Sequence, residues 1–260
     1  MDIMQVDPEW GWAPYRPSPE TPWNRQAAAH LYRRAGFGAT AVELDEAVAG
    51  SPGELARQLV FGCPEPDTFR QLMRGMVDSM IATGDASRLA AAWLYRMLQT
   101  PDQLQEKITL FWHGHFATSA EKVEDPIMMQ QQNDLLRNNA TGSFQEMVQS
   151  ISSDPAMLIY LDSASNRKTH PNENFSRELM ELFCLGEGHY SEEDIRELAR
   201  CFTGWEVKNR RFRFNRYQHD FGSKTVLGKT ARFTGEQAVE QVLEQPSAAR
   251  FIAARLVNYL

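Results

Sequence analysis

Thr40 to Gly62 reads TAVELDEAVAGSPGELARQLVFG, and this stretch decides the fold class. Thr40 stands three residues ahead of Glu43, and Ser51, followed by Pro52, stands three ahead of Glu54. At that spacing each side chain takes up a backbone N–H left over at a helix start, while proline at the first helical position forgoes an N–H that has no partner anyway. Gly50 and Gly62 fall where the two helices should stop. Working outward, Thr100 with Pro101 and Gln103 marks a third start, and Ser191 with Asp194 frames another. Apolar periodicity predicts further helices near 23–35, 66–82, 86–99, 126–140, 143–152, 172–186, 191–203, 235–245 and 247–260. One stretch breaks the rhythm. From Glu206 to Phe214 the period drops to two, with Phe212 and Phe214 on one side and Arg211 and Arg213 on the other. The expected fold is therefore mostly α, an irregular multi-helical bundle with one short β-hairpin or ribbon near 206–227.

Composition narrows the function classes. The chain has 260 residues, 42% of them hydrophobic, which is enough to bury a full core. We expect a Pro-rich arm over residues 1–22 and a single helical domain over 23–260. With 27 basic against 34 acidic residues the net charge is -7, which disfavours a surface built to neutralise phosphates and so excludes general nucleic-acid binding. The start of the chain lacks a basic segment followed by an apolar run, and no stretch approaches the ~18 apolar residues of a membrane span. Taken at face value the protein is cytoplasmic, or exported if a leader is missing. Cys63, Cys184 and Cys201 have no metal-type spacing and read as free thiols.

Six ordered blocks run through most of the chain. They are WNRQAAAHLYRRAGFG from Trp23, KITLFWHGHFATS from Lys107, DPAMLIYLD from Asp154, PNENFSRELMELFCLGEG from Pro171, FTGW from Phe202 and HDFGSKTVLG from His219. Together they resemble the signature of the bacterial family known as domain of unknown function 1800. Similar proteins are often large, often exported, and commonly encoded beside a sulfatase-like family. The resemblance thus implies a sulfatase-like partner protein; it implies no reaction.

The candidate site residues lie in three of these blocks. Leu104, Ile108, Phe111 and His115 follow a helical apolar stripe. If the helix runs straight through Gly114, His113 points about 200° away from His115 and the two cannot hold one metal. If Gly114 ends the helix, an extended His-x-His places both rings on one side as metal ligands. In the Pro171 block, Phe175, Leu179, Leu182 and Phe183 form the expected core stripe. Glu173, Arg177 and Glu181 stand on the remaining arc, Asn174, Glu178 and Glu181 cluster along a neighbouring edge, and Asn172 precedes them as a further candidate. Either these make a solvated ladder of ion pairs worth about 0.3–0.5 kcal/mol each, or they face a cleft. In the second case Glu178 and Glu181 supply carboxylates for a cation or for acid/base work, Arg177 orients them, and both Glu178 and Arg177 are partly buried and paired. His219 and Asp220 could ligate a metal, with Lys224 as a point charge for an anion, or Asp220 could close a tight turn at Gly222.

Two functions follow. One is a noncatalytic helical scaffold or binding protein that holds a partner or an envelope polymer. The other is a metal-assisted hydrolase in which His113, His115, His219, Asp220, Glu178 and Glu181 converge and a divalent metal is the cofactor. Convergence of the histidines and carboxylates discriminates between them. At the end of the chain the apolar stripe Phe251, Ile252, Leu256, Val257 and Leu260 runs to the last residue without a stop signal. We expect a domain incomplete at its C-terminus and self-association through this helix.

Overall fold

The computed structural model describes residues 13–260. Residues 1–12, which include most of the expected arm, lie outside the described residues. Residue contacts fall into two compact units, the first ending at Pro64 and including residues 101–104, the second comprising 65–100 and 105–260.

The first unit is built by the capping boxes. Helices α1 (Arg25–Ala35), α2 (Ala41–Ala49) and α3 (Pro52–Phe61) pack around Ala28, Tyr32, Ala47, Leu55 and Leu59. The Thr40 and Ser51 side chains accept the N–H groups of Glu43 and Glu54, whose carboxylates reach back to the cap N–H at 2.6 and 2.8 Å.

The second unit carries α4 (Asp67–Ala82), α5 (Leu89–Gln99), α6 (Gln103–His115) from its third residue, α7 (Ala120–Val123), α8 (Pro126–Asn138), α9 (Phe144–Ser152) and α10 (Pro155–Tyr160). They are followed by α11 (Asn174–Glu178), which continues as a π-helical turn over Leu179–Cys184, then α12 (Glu192–Cys201). Two hairpins come next, β1 (Trp205–Lys208) with β2 (Arg211–Phe214) and β3 (Lys224–Val226) with β4 (Lys229–Ala231), before α13 (Gly235–Leu243) and α14 (Pro246–Tyr259). Phe116, Phe175, Phe202, Met157, Leu179 and Met180 are among its fully buried side chains. Beside α6, buried Glu106 accepts from Trp93 Nε1 at 2.9 Å and pairs with Arg137. No helix among the described residues is long and apolar enough to cross a membrane.

Four sequence expectations need correction. Thr100 does not open α6; it ends α5, and α6 begins three residues later at Gln103. The short α7 and α10 are additional helices, capped by Ser119 and by Asp154 with Pro155. There are two hairpins rather than one. In each, both loop residues have positive φ, Asn209 and Arg210 at 53° and 60°, Leu227 and Gly228 at 49° and 80°, the signature of the turn whose twist matches paired strands. The second escapes notice because its strands have only three residues, and it extends beyond position 227. Lastly, Leu182 is not in the core stripe: it is 47% exposed, while Met180 is fully buried. Leu185 N–H bonds the Met180 carbonyl at 2.8 Å, an i to i−5 bond, and this wider turn carries Leu182 off the buried face.

Candidate functional site

The histidine alternatives of the Lys107 block are resolved by the helix. It runs through Gly114 to His115, so the two rings diverge. His113 meets the Trp93 ring edge-on at 5.0 Å and lines a cleft with Thr118, Gln130 and Asn133. His115 is 4% exposed, stacks on Phe111 and lines a different cleft. His113 and His115 therefore do not form a metal pair.

The second cleft, of about 430 Å³, is assembled from α6, α7, α10, α11 with its π turn, and α14. His115 Nε2 lies 2.9 Å from the Phe183 carbonyl. That carbonyl is one of those left over where the helix ends at Leu185 and Gly186, so the imidazole donates to it and acts as a cap. The proton thus sits on Nε2. Nδ1 is left as a bare acceptor, buried and without a partner. Burial, the largest cause, holds the imidazole pKa down to about 4, so the ring is neutral near pH 7.

Asn172 and Asn174 position the helix that carries Glu178. The Asn172 side chain accepts the Asn174 N–H at 2.9 Å and donates to the Asp162 carbonyl at 3.2 Å. Asn174 Nδ2 donates to the Leu161 carbonyl at 3.1 Å, clasping the start of α11 to the end of α10. Lys122 reaches the same corner, 2.8 Å from Asp162 and over the Tyr160 ring.

Glu178 lines the cleft, half-buried, and accepts no hydrogen bond among the described residues. Its expected pairing is not found. Burial first, then the nearby Glu181 charge, raises its pKa. Glu181 instead accepts from Tyr190 at 3.0 Å, and Arg177 makes a two-pronged pair with Glu192 at 2.8 Å on each side, with Glu173 at 3.5 Å. Of the polar arc, only Asn174 and Glu178 reach the cleft. Arg255 of α14 completes it, its guanidinium over the Phe251 ring and in no ion pair among the described residues. Arg255 and Lys122 gave no sequence signal, and Tyr160 only its place in the Asp154 block, because each joins the cleft only through packing of distant segments.

The His219 block lies elsewhere. His219 Nδ1 bonds the Thr203 carbonyl at 2.8 Å, and Asp220 closes the turn by accepting the Gly222 N–H at 2.7 Å while pairing with Arg200 at 2.8 Å. Burial lowers the His219 pKa, and Asp220 is held below the usual carboxylate range by Arg200 and Gly222 against the opposing effect of burial. Lys224 is buried and donates to the carbonyls of Asp220 and Phe233. The candidate residues that reach a cleft thus divide among separate ones, and no group of three or more His, Cys, Asp or Glu among the described residues is placed to hold a metal ion.

A family model described as "Protein of unknown function (DUF1800)" matches residues 30–260. The chain belongs to the DUF1800 family. No curated protein and no solved structure matches this DUF1800 member. The matched span contains every cleft residue named above, so both the Asn172–Asn174 clasp and the His115 cap lie within the DUF1800 portion of the chain.

Proposed function

We propose that this DUF1800 member is a helical binding protein whose His115–Glu178 cleft takes a neutral, hydroxyl-rich ligand such as a saccharide unit of an envelope polymer. The observation that carries the reading is Glu178: a half-buried carboxylate with no hydrogen-bond donor among the described residues, sharing a cleft with Arg255, Asn174 and a neutral imidazole. A cation in this cleft would meet Arg255 and Lys122, and an anion would meet Glu178. A neutral polyol suffers neither penalty. Its hydroxyls donate to the carboxylate and accept from the guanidinium and the amide, as polar groups in a partly desolvated site require. Leu182, exposed in the cleft wall by the π turn, supplies an apolar surface for a ring face. The metal-hydrolase alternative loses its support, because its ligand set does not converge. As the family resemblance implies, the protein acts beside a sulfatase-like partner, to which such a cleft would present the polymer.

Calorimetric titration of the full chain with neutral oligosaccharides tests this. Binding should weaken about tenfold in Glu178→Gln or Asn174→Ala, the loss expected from removing a hydrogen bond to a charged or buried group. Equal binding by wild type and both variants would remove the cleft from consideration.

A further inference from the structure

A separate cavity of about 300 Å³ opens between the first hairpin, the His219 turn and the start of α13. Its wall is aromatic. Phe214 and Phe221, 46% and 59% exposed, flank the His219 ring at 5.2 and 4.7 Å, an expensive way to leave two phenylalanines in water. Trp205 forms the floor, pressed so close to α13 that a Cβ on Gly235 would lie 2.1 Å from its ring.

The charge is as unusual as the wall. Lys224 lines this cavity yet is only 1% exposed, and among the described residues no carboxylate lies within ion-pair distance of it. An ammonium has three donors, and here two go to backbone carbonyls. Asp220 and Glu197 act on it only from beyond ion-pair distance, and a buried cation so weakly compensated is costly. Arg232, exposed and in no ion pair among the described residues, lies at the same rim. The N–H groups of Gly235 and Glu236, at the positive end of α13, are taken by neither the helix nor the Thr234 cap, which serves Gln237. Three positive features therefore meet at one aromatic cavity. Glu236 opposes them at the rim, which suits a single negative charge and not a polyphosphate. With Nδ1 of His219 held by Thr203, Nε2 remains as a polar atom for a hydroxyl.

We infer that this cavity binds an acidic saccharide, a hexuronic acid unit. Its carboxylate lies toward Lys224, Arg232 and the start of α13, its ring face packs on Phe214 and Phe221, and its hydroxyls reach Glu236 and His219 Nε2. The site is independent of the His115–Glu178 cleft.

The test is titration of the full chain, by calorimetry and saturation-transfer NMR, with sodium glucuronate, glucose and sodium acetate. Glucuronate should bind about tenfold more tightly than either of the others, since glucose lacks the charge and acetate the ring. Arg232→Gln and Phe221→Ala, both at exposed positions, should each weaken glucuronate about three- to tenfold with unchanged circular dichroism. Glu178→Gln should leave glucuronate binding intact, which separates this site from the other cleft. Lys224→Met should abolish binding; because that residue is buried, the two exposed variants decide the matter if it misfolds. Acetate binding as tightly as glucuronate would overturn the saccharide, glucose binding as tightly in the Glu178→Gln chain, where the neutral-ligand cleft is weakened, would overturn the charge, and no effect of either exposed variant would overturn the site.

Discussion

Asp154 shows how a single buried carboxylate couples this fold to pH. It caps α10 by accepting the Met157 N–H at 2.9 Å and takes Gln132 Nε2 at 2.7 Å, while the Gln132 carbonyl oxygen is itself held by Thr118. Those bonds favour the charged form, yet burial outweighs them and raises the pKa from 3.8 to about 6. Between these values the folded state holds more protons than the unfolded state, so stability from this group is present below about pH 4 and lost as pH rises through about 6. The wild-type protein should therefore lose stability relative to Asp154→Asn across that window. Urea melts of the two proteins at pH 4, 5, 6 and 7 check the sign, and a difference that grows in favour of the wild type would refute the assignment. Glu178, also raised by burial, loses its charge repulsion with Glu181 when it becomes Gln, so that variant should tolerate pH 7 well enough for the binding test.

At the scale of elements the π turn is the decisive feature. Phe175, Ser176, Leu179, Met180, Phe183 and Cys184 are buried, a repeat of four where an α-helix repeats at 3.6. The register predicts a contrast between two neighbours. Met180→Ala removes a fully buried side chain and should cost about 2–5 kcal/mol, whereas Leu182→Ala, at a 47% exposed position, should stay within about 0.5 kcal/mol. Chemical denaturation of both variants tests it; equal costs would mean a regular α-helix. The capping signals at Thr40, Ser51 and Ser191 are legible in sequence because each bond joins residues three apart. The π turn is not legible, since α- and π-type bonds draw on the same backbone groups and tertiary packing chooses between them. The second hairpin is hidden for another reason: three-residue strands carry too little alternation to register.

Across the whole molecule, the candidate histidines and Glu178 are divided among separate clefts. His113 faces one, His115 and Glu178 a second, His219 and Lys224 a third. Purified protein should accordingly carry no tightly held metal in a one-to-one ratio, and elemental analysis after gel filtration measures this directly. A stoichiometric zinc or iron would reinstate the hydrolase reading. Two of the three thiols offer no substitute centre: Cys184 and Cys201 are buried and free, and burial pushes the Cys201 thiol up to about 12.

The sequence by itself determined the helical class, most helix boundaries, the first hairpin and the family, because caps, apolar periods and ordered blocks are local or linear properties of the chain. It also supplied Glu178, Asn174 and the histidines as polar residues beside a core stripe. Only the tertiary structure decided which of them share a cleft. Arg255 joins Glu178 across 77 positions of sequence, and Glu181, three residues from Glu178, turns to Tyr190 instead. A side chain's neighbours depend on how separate helices pack, and no spacing along one helix records that.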